Sequence, residues 1–282
     1  MSLPSSDTEL PARREPFSWR LFWLLALMML LASLLLLPYA LQLASVGNPA
    51  LAEQGGAARA MVTISTIVQT VLLYWPLALV GLLVSRRLGL GLPYLSALVQ
   101  GQPIPTGWRR VVSLGVVVGF FSGLGLLLLS GVLAPLLAAD LLELSAATQQ
   151  KMPNAWQGLM GSVSAGVNEE ILLRLFLLSL LAWVIQRVAL RRSQGFPPRA
   201  VLWTANILAA VIFGLLHIPN LTLMGLPVTP LVVLYLILLN GMAGLVFGWL
   251  FWTFGLECAM IAHFSADVVL HVLTVPLQKL AQ

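Results

Sequence analysis

The chain has 282 residues, of which 59% are hydrophobic and only 9% charged, with a mean hydropathy of +0.95. So much apolar surface exceeds what one soluble core can bury, which excludes an ordinary water-soluble domain and indicates a multi-pass membrane protein. The net charge of +5 and pI near 10.0 do not imply nucleic acid, because the basic residues fall in short loops between apolar runs.

In chain order, seven segments are long enough to cross about 30 Å of hydrocarbon, which takes roughly 20 helical residues. They lie at about 21–43, 60–84, 111–137, 156–185, 201–217, 230–252 and 256–275. The fold class expected is therefore all-α, a bundle of about seven transmembrane spans. The first span follows Arg13, Arg14 and Arg20 like a signal sequence, but its apolar run is long and lacks a cleavage site, so it reads as a retained anchor. Between spans two and three, Gly89 to Gln100 with Pro93 near its start reads as a short interfacial helix.

Basic residues test the count. Arg13, Arg14 and Arg20 precede span one, Arg86, Arg87, Arg109 and Arg110 separate spans two and three, and Arg187, Arg191, Arg192 and Arg199 separate spans four and five. The alternate loops and tail hold only Arg59, Lys151 and Lys279. This asymmetry predicts an N-terminus inside. Gly115, Gly119 and Gly123 on span three, and Gly244 and Gly248 on span six, repeat every four residues, a spacing that lets helices approach closely. Pro76 and Pro135 each remove a helical hydrogen bond and are expected to kink their spans. The single cysteine, Cys258, forms no internal disulfide, and no repeat of the kind found in transporters is evident.

Chemistry concentrates in the second half. Glu169, Glu170 and Arg174 interrupt span four, and charge at that depth persists only where it is paired or faces water. On a helix Arg174 returns beneath Glu170 at i+4, so those two neutralise one another and Glu169 is left without a local partner. The structural alternative is a buried ionic lock among all three. On span seven His263 and Asp267 share a face, and the carboxylate can fix the imidazole tautomer; His271 extends the stripe toward the interface. From Val201 to Leu256 there is no Asp, Glu, Lys or Arg, which makes His217, beside Pro219 and Asn220, conspicuous. Groups this sparse are expected to converge. A water between Glu169 and His217 could be deprotonated to attack a carbonyl while donors on span seven steady the oxyanion.

The order Glu169-Glu170-x-x-x-Arg174, Phe213-x-x-x-His217 and His263-x-x-x-Asp267 on successive apolar helices resembles the three motifs of the CPBP (Abi) family of intramembrane proteases, which includes the type II CAAX prenyl endopeptidases. The stretches 213–220 and 244–250 are similar to family phrasing. The resemblance covers roughly residues 155–275, and with the charge asymmetry it divides the chain into a cytoplasmic segment (1–20), N-terminal transmembrane helices (21–150) and protease-like catalytic helices (151–282). It implies an intramembrane endopeptidase in which Glu169 and His217 activate water, Glu170 and Arg174 support them, and His263 with Asp267 forms the oxyanion site. It also implies a peptide or membrane-protein substrate at the lipid bilayer, in the cell membrane, most simply a bacterial inner membrane. No obligatory cofactor is expected, although two histidines with carboxylates could hold zinc with an open position.

Two departures stand out. The family usually carries Asn, an amide donor, where this chain has Asp267, and an ionised carboxylate donates nothing. Such an Asp must be protonated, orient His263 or bind a metal. Glu257 stands where relatives tend to be apolar, and reads as a charge at the N-terminus of span seven. Two other functions fit the same residues: a catalytically inactive relative serving as an immunity or assembly factor, or a proton-coupled transporter. Counting along the helices leaves a problem of depth, since His217 ends span five while His263 begins span seven from the opposite side.

Overall fold

The computed structural model describes residues 17–48, 55–137, 152–191 and 194–274. Arg13, Arg14, Lys151, Arg192 and Lys279, and most of the 1–20 segment, lie outside the described residues. Among the described residues, seven helices are long and apolar enough to cross a membrane: α1 (Trp19–Gly47), α2 (Gly55–Leu88), α4 (Trp108–Leu137), α5 (Ala155–Ala189), α6 (Arg199–Leu215, extended by the short α7, Ile218–Leu223), α8 (Pro230–Phe254) and α9 (Leu256–Leu273). The expected interfacial segment forms α3 (Pro93–Val99). Among the described residues there is no strand, and the chain is an all-α multi-pass bundle. Its outward surface carries Leu72, Phe121, Leu128 and Val132 exposed, as a bundle solvated by lipid requires.

Local chemistry sets the helix ends. Ser18 Oγ accepts from Leu21 N–H at the start of α1, and Thr229 Oγ1 accepts from Val232 N–H ahead of Pro230 at the start of α8. Asn154 and Gln157 form a reciprocal capping box that opens α5. Gly89, in the left-handed region at φ 72°, closes α2.

Both prolines coincide with a change of helix type. Ahead of Pro76, α2 widens into a π-helical stretch, Thr70–Tyr74, and Trp75 N–H reaches back to Thr70 O. The wider turn accommodates the position where proline cannot donate. Pro135 lies in a terminal 3-10 turn, Ala134–Leu137, where α4 is already ending.

The glycine repeats bring backbones together. Gly115, Gly119 and Gly123 line the seam of α4 against α9, and a Cβ at Gly119 would strike the Ala262 carbonyl. Across α6 and α8, Gly248 admits the Asn206 side chain, whose Nδ2 donates to Leu245 O at 2.9 Å. Close backbone approach replaces the hydrophobic drive that lipid does not supply.

Two turns are fastened on one face of the bundle. Leu256 N–H donates to Gly91 O, and Gly195 N–H donates to Arg87 O. The loops bearing Arg86 and Arg87 and the segment before Arg199 therefore share that face. Glu257 does more than charge the first turn of α9: its Oε1 accepts from Tyr94 and Leu95 N–H, both at 2.9 Å, which caps α3 from another helix.

Candidate active site

Glu170 lies at the centre of a buried cluster. Within α5 it stands between two π-helical stretches, Ala165–Glu169 and Ile171–Leu178, in place of the uniform α-helix assumed from sequence. Interruptions of this kind concentrate at functional sites. Glu170 Oε1 is 2.8 Å from Arg174 Nη1, so the i+4 ion pair is present, and the same oxygen lies 2.7 Å from His263 Nδ1 on α9. The Glu170 and Arg174 side chains are 0% and 2% exposed.

Arg174 is held on several sides. Its Nη2 donates to Gly244 O on α8 at 3.3 Å, and its guanidinium sits over the rings of Phe213 (5.3 Å) and Phe247 (5.6 Å). The glycine at 244 that eases helix packing thus also offers its carbonyl to the buried cation. Phe247 stacks on His263 with centroids 4.9 Å apart and planes at 26°. An imidazole gripped by a ring face and a carboxylate has little freedom left to rotate.

With Nδ1–H donated to Glu170, the other ring nitrogen is the one that can act. Nε2 of His263 faces Glu169 Oε2 and Asp267 Oδ1, each at 3.8 Å. Both separations exceed a hydrogen bond, and a polar gap of this kind is commonly spanned by a water or by a ligand oxygen. Glu169 is the open carboxylate of the pair on α5, with its side chain 37% exposed. The tautomer of His263 is therefore set by Glu170, whereas the i+4 spacing on α9 pointed to Asp267.

His217 approaches from α6 through Phe213. The Phe213 ring meets the His217 ring edge-on at 4.9 Å and the His263 ring at 6.1 Å, so the two imidazoles lie no more than about 11 Å apart. Both imidazoles thus reach one phenyl ring despite the depth difference expected from counting; His217 itself lies in the turn where α6 ends at Leu215 and the chain enters α7. His217 Nδ1 bonds Phe213 O at 2.9 Å, which leaves Nε2 as the bare acceptor in the neutral ring. Five of the six residues singled out from sequence thus lie on α5 and α9 in contact around His263, and His217, in the turn after α6, joins them through Phe213.

Sequence reasoning missed a buried polar network that includes Asn168, the residue next to Glu169. Asn168 Nδ2 donates to Ser33 Oγ on α1 (3.0 Å) and Ser164 Oγ (3.1 Å), and Thr70 Oγ1 on α2 donates to the same Ser33 (3.0 Å). This network ties α1, α2 and α5 together next to the site, and Asn168 within an apolar run is a readable sign of it. Tyr39 on α1 and Tyr74 on α2 also lie within electrostatic range of Glu169, Tyr39 of Asp267 as well. Nothing in the composition of spans one and two announces them.

Among the described residues no group of three or more His, Cys, Asp or Glu is placed to hold a metal ion. His263 Nε2, His217 Nε2, Glu169 and Asp267 are the uncommitted donors nearest such a role.

Residues 151–269 match one family model, Rce1-like, described as type II CAAX prenyl endopeptidase Rce1-like. No curated protein and no solved structure matches the chain. The matched stretch contains every residue of the cluster except those from α1 and α2. It agrees with the resemblance carried by the three motifs, is consistent with a CPBP-family membrane protease, and supports a CAAX-type intramembrane protease activity in general.

Proposed function

We propose that the protein is an intramembrane endopeptidase that hydrolyses a peptide bond of a membrane-associated peptide or protein with a water activated by Glu169 and His217. The observation that carries the proposal is the approach of Glu169 Oε2 and Asp267 Oδ1 to the same nitrogen, His263 Nε2, each at 3.8 Å. An oxygen, from water or from a substrate carbonyl, can lie beside such a pair and hydrogen-bond both of its members.

In this reading Glu169 takes a proton from the water, and the resulting hydroxide attacks the carbonyl carbon. The carbonyl π pair moves to oxygen, which His263 steadies through Nε2–H in its imidazolium form, with Asp267 beside it. Collapse breaks the C–N bond, and the amine leaves with the proton returned by Glu169. His217, with Nε2 bare, accepts a hydrogen bond from the water and orients it. Glu170 and Arg174 hold His263 and take no proton. The chemistry proceeds without a metal.

The family match lends no support to proton-coupled transport or to a catalytically idle role. Nor does the site require a prenyl group, so a peptide or membrane protein serves as substrate at the bilayer, with a bacterial inner membrane its simplest setting.

The test is cleavage of a fluorogenic transmembrane peptide by the purified protein in detergent. Glu169→Gln, nearly isosteric but unable to accept a proton, is expected to lower turnover by about 10²–10⁴-fold, and chelator to leave wild-type turnover unchanged. Wild-type turnover by Glu169→Gln would refute the mechanism, and abolition by chelator would replace it with a metal-dependent one.

A further inference from the structure

The start of α1 and the end of α3 enclose a cavity of about 340 Å³, lined by Phe17, Ser18 and Arg20 on one side and by Val99, Gln100 and Gln102 on the other. Ligand sites commonly measure about 300–1,000 Å³. Gln100 caps α3, and the turn beyond it is fixed by Gly101 at φ 65° and by Gln102 N–H, which donates to Ala97 O at 2.9 Å.

The polar lining is rich in donors. Arg20 makes no ion pair or hydrogen bond among the described residues, so its guanidinium hydrogens are available. Ser18 Oγ accepts from Leu21 N–H, which leaves its O–H to donate. Gln100 Oε1 is taken by Gln102 Nε2 at 3.4 Å, which leaves Gln100 its amide hydrogens. The Arg86 guanidinium, 5.8 Å above the ring of Phe17, adds positive charge behind the wall. No carboxylate among the described residues lines the cavity. Donors and cations without a carboxylate select an anion, and a guanidinium matches phosphate in particular.

Below Arg20 the helix says where that phosphate comes from. Trp23, Leu27 and Leu31 follow Arg20 at i+3, i+7 and i+11 on one face of α1, and each is more than half exposed. An acyl chain attached to a phosphate at Arg20 lies along this strip, whereas a free phosphate makes no use of it. We propose that the cavity binds the phosphate of an anionic phospholipid, with an acyl chain running down the Trp23–Leu31 strip. The opposite end of α3 is capped by Glu257 of α9, so the lipid braces α1 against a helix that α9 already holds. The site stands independently of the endopeptidase reading.

The test is titration of the purified protein in detergent with short-chain phosphatidylglycerol, read as a rise in thermal midpoint, beside short-chain phosphatidylcholine and inorganic phosphate. Phosphatidylglycerol is expected to raise the midpoint of the wild type, phosphatidylcholine to bind about tenfold more weakly, and inorganic phosphate to have no effect. Arg20→Gln is expected to weaken phosphatidylglycerol about tenfold without moving the lipid-free midpoint, and Gln102→Leu about threefold, as loss of a charged and of a neutral hydrogen bond imply. Arg199→Gln, at a basic residue that does not line the cavity, is expected to stay within about twofold. No response of the wild type to phosphatidylglycerol overturns the inference, as does an equal response to phosphatidylcholine, which marks lipid solvation without an anion site. A response to inorganic phosphate as strong as that to the lipid makes it a free-anion site and overturns the lipid. Equal weakening by Arg20→Gln and Arg199→Gln marks diffuse charge and overturns it too. Should Arg20→Gln fail to fold, Gln102→Leu against Arg199→Gln decides in the same way.

Discussion

The two glutamates that stand side by side on α5 occupy opposite kinds of environment. Glu170 is fully buried, with one oxygen shared between Arg174 and His263, and every neighbour of that oxygen is itself clamped by Phe213, Phe247 or Gly244. Glu169 is 37% exposed and its nearest basic atom, His263 Nε2, is 3.8 Å away. One peptide bond separates a carboxylate locked by one oxygen into a buried ion pair from an open one. Successive residues of a helix point about 100° apart, which is enough to set the two in different surroundings. Rigidity on the Glu170 side is what gives the looser side a fixed geometry in which to work.

The largest effect is expected where the buried ion pair is broken. Glu170→Gln leaves the Arg174 guanidinium buried without a countercharge, a change worth about 3–5 kcal/mol in a buried pair. Thermal unfolding in detergent is expected to show a strongly lowered midpoint or no folded protein at all, whereas Glu169→Gln melts like wild type. Equal melting of the two variants would dissolve the distinction between the neighbours.

A smaller effect comes from the open side. His217→Ala removes an acceptor whose ring meets Phe213 edge-on, and it is expected to cut peptide turnover by about 100-fold while the melting midpoint stays put. A turnover within threefold of wild type would take His217 out of the water-binding role.

The smallest lies far from both glutamates. Glu257→Gln weakens a charge-assisted cap on α3 and is expected to cost about 1 kcal/mol in the melt, with peptide turnover unchanged. A loss of turnover would mean that α3 communicates with His263 along α9.

The seven spans are legible from hydropathy alone, because lipid demands long apolar helices, and Pro93 announces α3. The acid–base residues are legible for the complementary reason, that an ionisable group in an apolar span is too costly to be idle. What the sequence conceals is three-dimensional. Glu170 and Arg174 are i and i+4 and can be paired by counting, but the third member, His263, lies 93 residues away and its link to Glu170 has no local signature. Tyr39, Ser33 and Thr70 are common residues in spans otherwise devoted to packing. The widened turn with which α2 meets Pro76 has no signature in the residue order, because the missing hydrogen bond alone does not say which helix type follows. Nor does counting along the spans show that Phe213 lies between His217 and His263, since that depends on how the two helices pack.

The widened turns of α5 bear on how this chain tolerates change in length. An α-helix that gains or loses a residue turns everything beyond it by about 100°, so most such changes in a transmembrane span turn a buried face toward lipid. A π-helical turn already holds one extra residue at constant phase of its flanks. Removal of a single residue beyond Arg174, within 175–178, can therefore be absorbed by reversion to the tighter helix, with Ser179–Ala189 keeping its contacts and only the intervening turn redrawn. Before Arg174 the i+4 pairing with Glu170 fixes the spacing, so the tolerance to deletion begins where the buried ion pair ends.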